Sequence, residues 1–121
     1  MKWLWYLFFS SMVFNACEKE QQIESVTPQH EATLIITVKY NNNGVMKPLA
    51  GVSAFLYLTE YDRMQNQNIR FTGAVNNSGK VVFTSLPDDY YFIIISHPLM
   101  GFKTFETATP DRSVSYEEVN F

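Results

Sequence analysis

The sequence predicts an all-β fold, a seven-stranded antiparallel Greek-key sandwich that follows an N-terminal signal helix. From residue 32 onward, apolar and polar residues alternate with a period of two, which is typical of strands with one buried face. Turns rich in Asn, Asp and Gly interrupt this alternation at intervals of about 8–12 residues, the spacing found in sandwiches and barrels. No segment after residue 17 sustains helical spacing, which argues against a helical bundle or an α/β fold.

The first predicted strand covers residues 32–40 and turns its large apolar side chains to one face. The residues on that face are Leu34, Ile36, Val38 and Tyr40. Residues 41–44 end the strand, because Asn and Gly tolerate the positive φ that a tight turn requires. Residues 47–51 then continue as a predicted loop.

Six further strands follow, separated by turns or loops. Their predicted ranges are 52–58, 69–75, 80–84, 90–95, 102–107 and 113–121. The run 90–95 is apolar on both faces, which places this strand at the centre of its sheet. Residues 59–68 are polar and form the longest predicted loop between strands. The residues that share one side of the third strand are Ile69, Phe71, Gly73 and Val75.

The first sixteen residues have the composition of a signal peptide. Lys2 precedes a run of twelve mainly apolar residues, 3–14. That run has the length of a signal-peptide apolar region, whereas a helix that spans a bilayer needs about 20 residues. Ala16 supplies the small side chain that signal peptidases require before the cleavage point, and Cys17 follows it directly.

This order of residues resembles a bacterial lipoprotein signal, in the relaxed form of Bacteroidota lipoproteins. Ala16 and Cys17 fit the lipoprotein pattern, whereas Phe14 and Asn15 depart from its stricter form. The resemblance implies cleavage after Ala16 and a thioether-linked diacylglycerol on Cys17, so that acyl chains hold the protein at a membrane. An ordinary secretory signal with an incidental cysteine and an uncleaved membrane anchor are the alternatives.

Residues 17–31 are predicted to form a lipidated tether, which leaves residues 32–121 for the sandwich domain. The acidic stretch 18–22 is similar to the export signal that sends some Bacteroidota lipoproteins to the outer face of the outer membrane. The resemblance implies an outer-membrane lipoprotein that is exposed at the cell surface. A solvated spacer without sorting information is the alternative.

Composition excludes several classes of function. The formal net charge of −3 argues against nucleic acid as a partner, because nucleic-acid-binding domains need a basic surface. A single cysteine excludes an internal disulfide framework and a cysteine-built zinc site. Gly-rich phosphate loops and the G-x-S-x-G motif are absent from the sequence. We therefore expect no cofactor and no enzymatic activity.

The middle of the chain resembles a family of sandwiches. Residues 44–57 read GVMKPLAGVSAFLY, and residues 72–91 read TGAVNNSGKVVFTSLPDDYY. These runs look like the prealbumin-like domains, which include the carboxypeptidase regulatory-like domain and the B-type domains of Gram-positive collagen adhesins. The resemblance implies that Gly79 turns a hairpin, that Phe83 and Leu86 fill the core, and that Tyr90 or Tyr91 closes the corner.

Some adhesin-type members of this family form an internal Lys–Asn isopeptide bond. The resemblance places Lys39 and Asn120 on roughly the required strands. The central strand, 90–95, carries no carboxylate to take up the proton, and without one a lysine amine stays charged and non-nucleophilic. We therefore expect a solvated lysine and an edge asparagine.

Candidate metal ligands are few. His30 lies in the tether and His97 in a loop, so both are expected at the surface. Asp88 and Asp89 are the weak candidates for a calcium site, joined by Asp62 or Asp111, since calcium favours clustered oxygens. Acidic turns without a metal are common, and we expect no metal site.

Aromatic and sulfur-containing side chains in or beside the loops form the remaining candidate site. Exposed apolar groups at one end of a sandwich bind protein or glycan partners. Packing in the core or at its rim is the alternative for each of them. The candidate residues are Tyr57, Tyr61, Met64, Met100 and Phe102.

The sequence thus favours a lipid-anchored binding or assembly module of the cell envelope without catalytic activity. A structural subunit of a fimbria or adhesin is the first alternative, and a small envelope enzyme or inhibitor is the second. The predicted partners are the membrane, through the acyl chains, and a protein or glycan at the envelope.

Overall fold

A computed structural model describes residues 29–121. The signal helix, the cleavage point after Ala16 and the acylation of Cys17 lie outside the described residues. The elements are β1 (Ala32–Asn42), β2 (Val45–Pro48), β3 (Ser53–Tyr57), α1 (Glu60–Gln65), β4 (Phe71–Ala74), β5 (Lys80–Leu86), β6 (Tyr90–His97), β7 (Gly101–Ala108) and β8 (Val114–Asn120). Within 29–121, no helix is both long and apolar enough to cross a bilayer.

The first sheet is built around β1, which pairs with β2, β5 and β8. The Val38 N–H donates to the Gly79 carbonyl at 2.7 Å, and the Val38 carbonyl accepts from the Leu49 N–H at 3.0 Å. The β5 and β2 segments therefore follow one another along the same edge of β1. The Lys39 carbonyl accepts from the Phe121 N–H at 2.8 Å, so β8 occupies the opposite edge.

The second sheet has the order β4-β3-β6-β7, and all its strands are antiparallel. As predicted, β6 is an interior strand of its sheet. It lies between β3 and β7, with Ile94 opposite both Phe55 and Thr104. β5 and β8 are distant from β1 in sequence, and β3 is distant from β6, so the chain crosses between the two sheets.

Alternate residues of both sheets point inward and form one hydrophobic core. Along β1 the buried positions are 32, 34, 36 and 38, as the two-residue period predicts. Phe83 and Leu86 are buried as expected, and Tyr91 is the corner tyrosine that is fully buried. The predicted all-β sandwich is confirmed.

The structure corrects the prediction in its details. Residues 29–121 form eight strands, because residues 45–48, of which 47 and 48 were predicted as loop, form β2 against the end of β1. All residues of β2 are exposed, so the strand lacks the alternation that reveals half-buried strands. The hairpin turn between β1 and β2 has positive φ at Asn43 and Gly44, as an Asn-Gly turn requires.

Two further differences concern β8 and the long loop. β8 runs parallel to β1, so the sandwich is not wholly antiparallel. The predicted loop 59–68 contains the helix α1, and β4 begins at Phe71 instead of residue 69. A six-residue helix is too short to show helical spacing in a sequence, since it makes fewer than two turns.

Candidate functional site

The outer face of the β4-β3-β6-β7 sheet is unusually apolar. The strand register places Phe55 beside Ile94 and Tyr57 beside Phe92 on this face, away from the core. In most antiparallel sheets with one buried face, the outer face is polar. The apolar side chains here therefore need a second layer, and α1 supplies part of it.

Helix α1 covers one end of this face. The Thr59 hydroxyl caps the helix by accepting the Asp62 N–H at 3.0 Å. Asn66 ends the helix in the left-handed conformation, with φ of 51°. Its side-chain oxygen accepts the Tyr57 hydroxyl at 2.5 Å. This contact joins the end of the helix to the sheet below it, and burial raises the pKa of the Tyr57 phenol.

Arg63 fastens α1 to the edge of the sheet. Its guanidinium donates to the Phe105 carbonyl and to the Glu106 carboxylate, each at 3.0 Å. It also lies over the Phe92 ring, 5.4 Å from the centroid. Only 12% of the Arg63 side chain is exposed, so these contacts are shielded from water more than a surface ion pair is.

Beyond the helix, the sheet face stays open as a groove of about 550 Å³. Such a volume lies in the range of small-molecule and peptide sites, about 300–1,000 Å³. Met64 and Phe102 are 70% and 67% exposed, an unusual exposure for large apolar side chains. The apolar lining residues are Phe55, Tyr57, Met64, Ile69, Ile94 and Phe102.

The structure brings together three of the five residues predicted for a binding surface. Tyr57, Met64 and Phe102 line the groove, whereas Tyr61 and Met100 are exposed outside its lining. Tyr57 was expected near a loop surface and is instead fully buried beneath α1, so it belongs to the floor of the groove.

Sequence reasoning missed two other residues of the floor. Phe55 and Ile94 lie on the outer face of interior strands. The signal was the apolar character of both faces of residues 90–95, which indicated that something covers the second face. The sequence does not indicate which segment covers it.

Carboxylates surround the helix end of the groove. Glu60 on α1 and Glu106 on β7 pair with the Arg63 guanidinium at 3.8 and 3.0 Å, and Asp62 lies on the same short helix. Hydrogen bonds from the Gln67 and Asn68 side chains lower the pKa of the Asp62 carboxyl. This rim is therefore acidic at neutral pH.

The two weak calcium candidates, Asp88 and Asp89, lie in the turn before β6. Asp88 accepts the Tyr91 hydroxyl at 2.8 Å and the Arg70 guanidinium at 3.1 Å. Its own carbonyl accepts the Thr109 hydroxyl at 2.8 Å. Asp88 thus holds the turn before β6 against Tyr91, and the described residues 29–121 bring no group of three metal-ligating side chains together.

Alkaline pH is expected to destabilise the fold through Tyr91. Burial, followed by the hydrogen bond to Asp88, raises the pKa of the Tyr91 phenol above its usual 10.0. The unfolded chain therefore loses this proton at a lower pH than the folded chain does. The contribution of Tyr91 to the free energy of unfolding is complete below pH 10 and falls as the pH rises above it. Urea unfolding at about pH 8 and about pH 11 measures the fall.

Tyr91→Phe should reduce this fall, since the variant has no phenol at that position to titrate. Tyr116→Phe is the matched control, because the Tyr116 side chain is 73% exposed and this variant removes no buried phenol. Equal alkaline losses in the Tyr91 variant and in the wild type would contradict the assignment.

Lys39 and Asn120 are neighbours, but on the solvent face of the sheet. The parallel pairing of β8 with β1 places them directly opposite one another. The Lys39 ammonium pairs with the Glu118 carboxylate at 3.7 Å, and both side chains are partly exposed. An exposed, ion-paired ammonium is a poor nucleophile, so this geometry does not favour an isopeptide bond.

The two histidines contact the backbone. His30 Nδ1 lies 3.0 Å from the Leu86 carbonyl. His97 Nδ1 accepts the N–H groups of Leu99 and Met100 at 3.1 and 3.2 Å, which fixes the turn between β6 and β7. Both histidines therefore have roles in the fold, at separate places in the sandwich.

Comparison with solved structures identifies related folds. The Bacillus anthracis TIE protein matches with a TM-score of 0.58 and 12% identity, over 75% of this chain and 16% of that chain. GBS52, the minor pilin of the Gram-positive pathogen Streptococcus agalactiae, matches with a TM-score of 0.56 and 12% identity, over 76% of this chain and 44% of that chain. No protein-family model and no curated protein sequence matches the chain.

These similarities concern the fold. The chain resembles one part of each larger protein, since it spans less than half the length of either. At 12% identity, the shared feature is the β-sandwich, which hosts many functions. Over 76% of its length, the chain thus has a sandwich fold similar to part of a minor pilin.

Proposed function

We propose that this chain is a lipid-anchored, non-catalytic binding or assembly module of the cell envelope. The observation that carries the proposal is the exposed apolar groove between α1 and the hairpin of β6 and β7. Exposed apolar surface costs free energy in water, about 25 cal/mol per Å², and is commonly covered in a complex. A protein or glycan at the envelope is the proposed partner.

The sequence before the domain supports the location. A signal-like segment precedes Cys17, and the acidic stretch after it resembles an export signal for the outer membrane surface. Several acyl chains at Cys17 would bind the bilayer almost permanently, because each buried methylene contributes about 0.8 kcal/mol. We propose an outer-membrane lipoprotein of the Bacteroidota type, exposed at the cell surface.

The fold similarity to a minor pilin supports a second candidate, a structural subunit of a fimbria or adhesin. In that case the groove would contact further copies of this chain instead of a different molecule. Both candidates are non-catalytic, and one experiment separates them.

The experiment places a photo-crosslinking amino acid at position 64, whose methionine side chain is 70% exposed in the groove. In intact cells, we expect adducts of one defined mass with an envelope partner. The matched control carries the crosslinker at position 82, on the outer face of the other sheet, where Val82 is also exposed. A ladder of multiples of the chain's own mass would favour the structural subunit.

Cys17→Ala provides the second arm of the same experiment. We expect this variant to leave the membrane fraction and to lose the adducts at position 64, because it cannot be acylated. Unchanged membrane partition of Cys17→Ala would refute the anchor. Equal crosslinking from positions 64 and 82 would refute the role of the groove.

A further inference from the structure

The strand that borders the groove has an open edge. The Thr109 N–H donates to the Asp89 carbonyl at 2.9 Å, and Tyr90 lies opposite Ala108. Together these contacts determine which residues of β7 form backbone hydrogen bonds with β6. Odd-numbered residues of β7 point their backbone groups at β6, and even-numbered residues point them outward. Within residues 29–121, the outward N–H and C=O groups of Phe102, Thr104 and Glu106 form no hydrogen bonds with another strand.

An open edge of this length is a template for a further strand. The open part of β7 runs from Phe102 to Glu106, since the Ala108 carbonyl accepts the Ser115 hydroxyl at 2.9 Å, and the pairing of β7 with β6 has no irregularity. The other edge strand of this sheet, β4, has only four residues. Natural proteins protect such edges with prolines, bulges or inward-pointing charges. β7 has one of these features, since Lys103 points inward and lies 5.8 Å from the Phe121 ring centroid.

The open edge and the groove are continuous. Phe102 and Thr104, whose backbone groups point outward, also line the groove with their side chains. A strand added beside β7 would place alternate side chains on the outer face, next to Phe102 and the exposed Met64. Its other side chains would lie on the inner side, beside the charge of Lys103.

The charges along the edge specify the added strand further. Glu106 lies four residues from Phe102 on the same face, and the nearby rim contributes Glu60 and Asp62. Two carboxylates, Glu60 and Glu106, pair with the one guanidinium of Arg63, so the helix end of the groove carries an excess of negative charge. A strand with a basic side chain at that end complements the rim.

We propose that β7 receives an extended peptide as a fifth strand of its sheet. The peptide carries an apolar residue beside Phe102 and, four positions away, a lysine or arginine beside Glu106. Between them, a polar or acidic residue faces Lys103. The inference rests on the proposed binding function and states which chemical class of partner the groove takes.

A synthetic peptide tests the proposal. The probe is Ser-Thr-Lys-Thr-Val-Glu-Ile-Thr with a fluorescent label, titrated into the full chain as purified from cells and held in lipid nanodiscs. We expect saturable binding, and at least about tenfold weaker binding of a peptide with the same composition but without alternation. Absence of saturable binding, or equal affinity for both peptides, overturns the proposal.

Thr104→Pro tests the open edge itself. The Thr104 N–H points away from β6, so proline removes a donor from the edge without removing a bond from the sheet. We expect at least about tenfold weaker binding of the probe, with unchanged circular dichroism. Thr104→Val keeps the N–H and should bind within about twofold of the wild type. Equal affinity of the proline variant and the wild type overturns the proposal.

Glu106→Gln tests the charge complementarity. We expect about two- to fivefold weaker binding of the lysine probe and no change for the same peptide with glutamine in place of lysine. An equal loss for both peptides contradicts a pairing of the lysine with Glu106. A concentration-dependent dimer that Thr104→Pro abolishes would identify a second copy as the occupant and overturn the peptide assignment.

The outcomes separate this inference from the proposed function. Failure of the peptide together with adducts at position 64 refutes the added strand and leaves the binding module in place. Peptide binding without membrane partition or adducts refutes the envelope function and leaves the edge as a peptide site.

Discussion

Tyr57→Ala is expected to lower the free energy of unfolding by about 3–5 kcal/mol, the usual range for removing a buried aromatic side chain. Tyr57 is fully buried between the sheet and α1. Its removal leaves a cavity under the helix and breaks the hydrogen bond to Asn66, which ends that helix. Urea unfolding measures the loss of stability, and crosslinking from position 64 should weaken as the groove loses its floor.

Tyr57→Phe is the matched control, because it keeps the ring and removes only the hydroxyl. We expect a cost of about 1 kcal/mol, the usual net value of one hydrogen bond. A similar cost for the alanine and phenylalanine variants would show that the ring contributes little. That result would contradict the burial of Tyr57 and, with it, the described floor of the groove.

Gly79→Ala is expected to destabilise the fold by about 2–3 kcal/mol. Gly79 has φ of +79°, which costs a residue with a Cβ atom about 1–2 kcal/mol. A Cβ atom here would also lie 2.6 Å from the Val38 carbonyl oxygen. That oxygen belongs to the backbone of β1, so relief of the clash disturbs the hydrogen bond from Val38 to Gly79, at about 1 kcal/mol.

Gly44→Ala separates the two causes. Gly44 also has positive φ, +86°, but among residues 29–121 no atom beyond its own chain neighbours lies within 4 Å of the position of its Cβ. We therefore expect only the conformational cost, about 1–2 kcal/mol. The difference in cost between the two variants measures how closely the turn at Gly79 approaches the backbone of β1. Equal costs in urea unfolding would argue against that approach.

Alternation along single strands carried most of the fold prediction. The buried positions of β1 follow the two-residue period of its sequence, and the apolar run 90–95 is an interior strand. The tight turn before β5 was also predictable from its Asn and Gly residues, but the predicted hairpin was wrong, because β4 and β5 pair in different sheets. These features depend on residues close together in the chain, so their signal is local.

The elements that sequence reasoning missed depend on distant contacts. α1 is held by Arg63, which reaches the Phe105 carbonyl 42 residues away. A short helix is marginal alone in water, so its stability comes from such packing. The direction of β8 is likewise a property of the assembled sheet, where it pairs with β1 from the other end of the chain.

The candidate site was likewise predictable only in part. Composition and local pattern indicated that Met64 and Phe102 are apolar side chains near loops, and burial periodicity identified the strands around them. Pairing between strands then placed both at one groove and buried Tyr57 beneath it. Within residues 29–121, it also left β7 at the edge of its sheet without a second partner strand. The sequence alone established which side chains are apolar and which strands have one buried face. The positions of the exposed groups relative to each other follow from long-range hydrogen bonds and packing, which form only in the assembled sandwich.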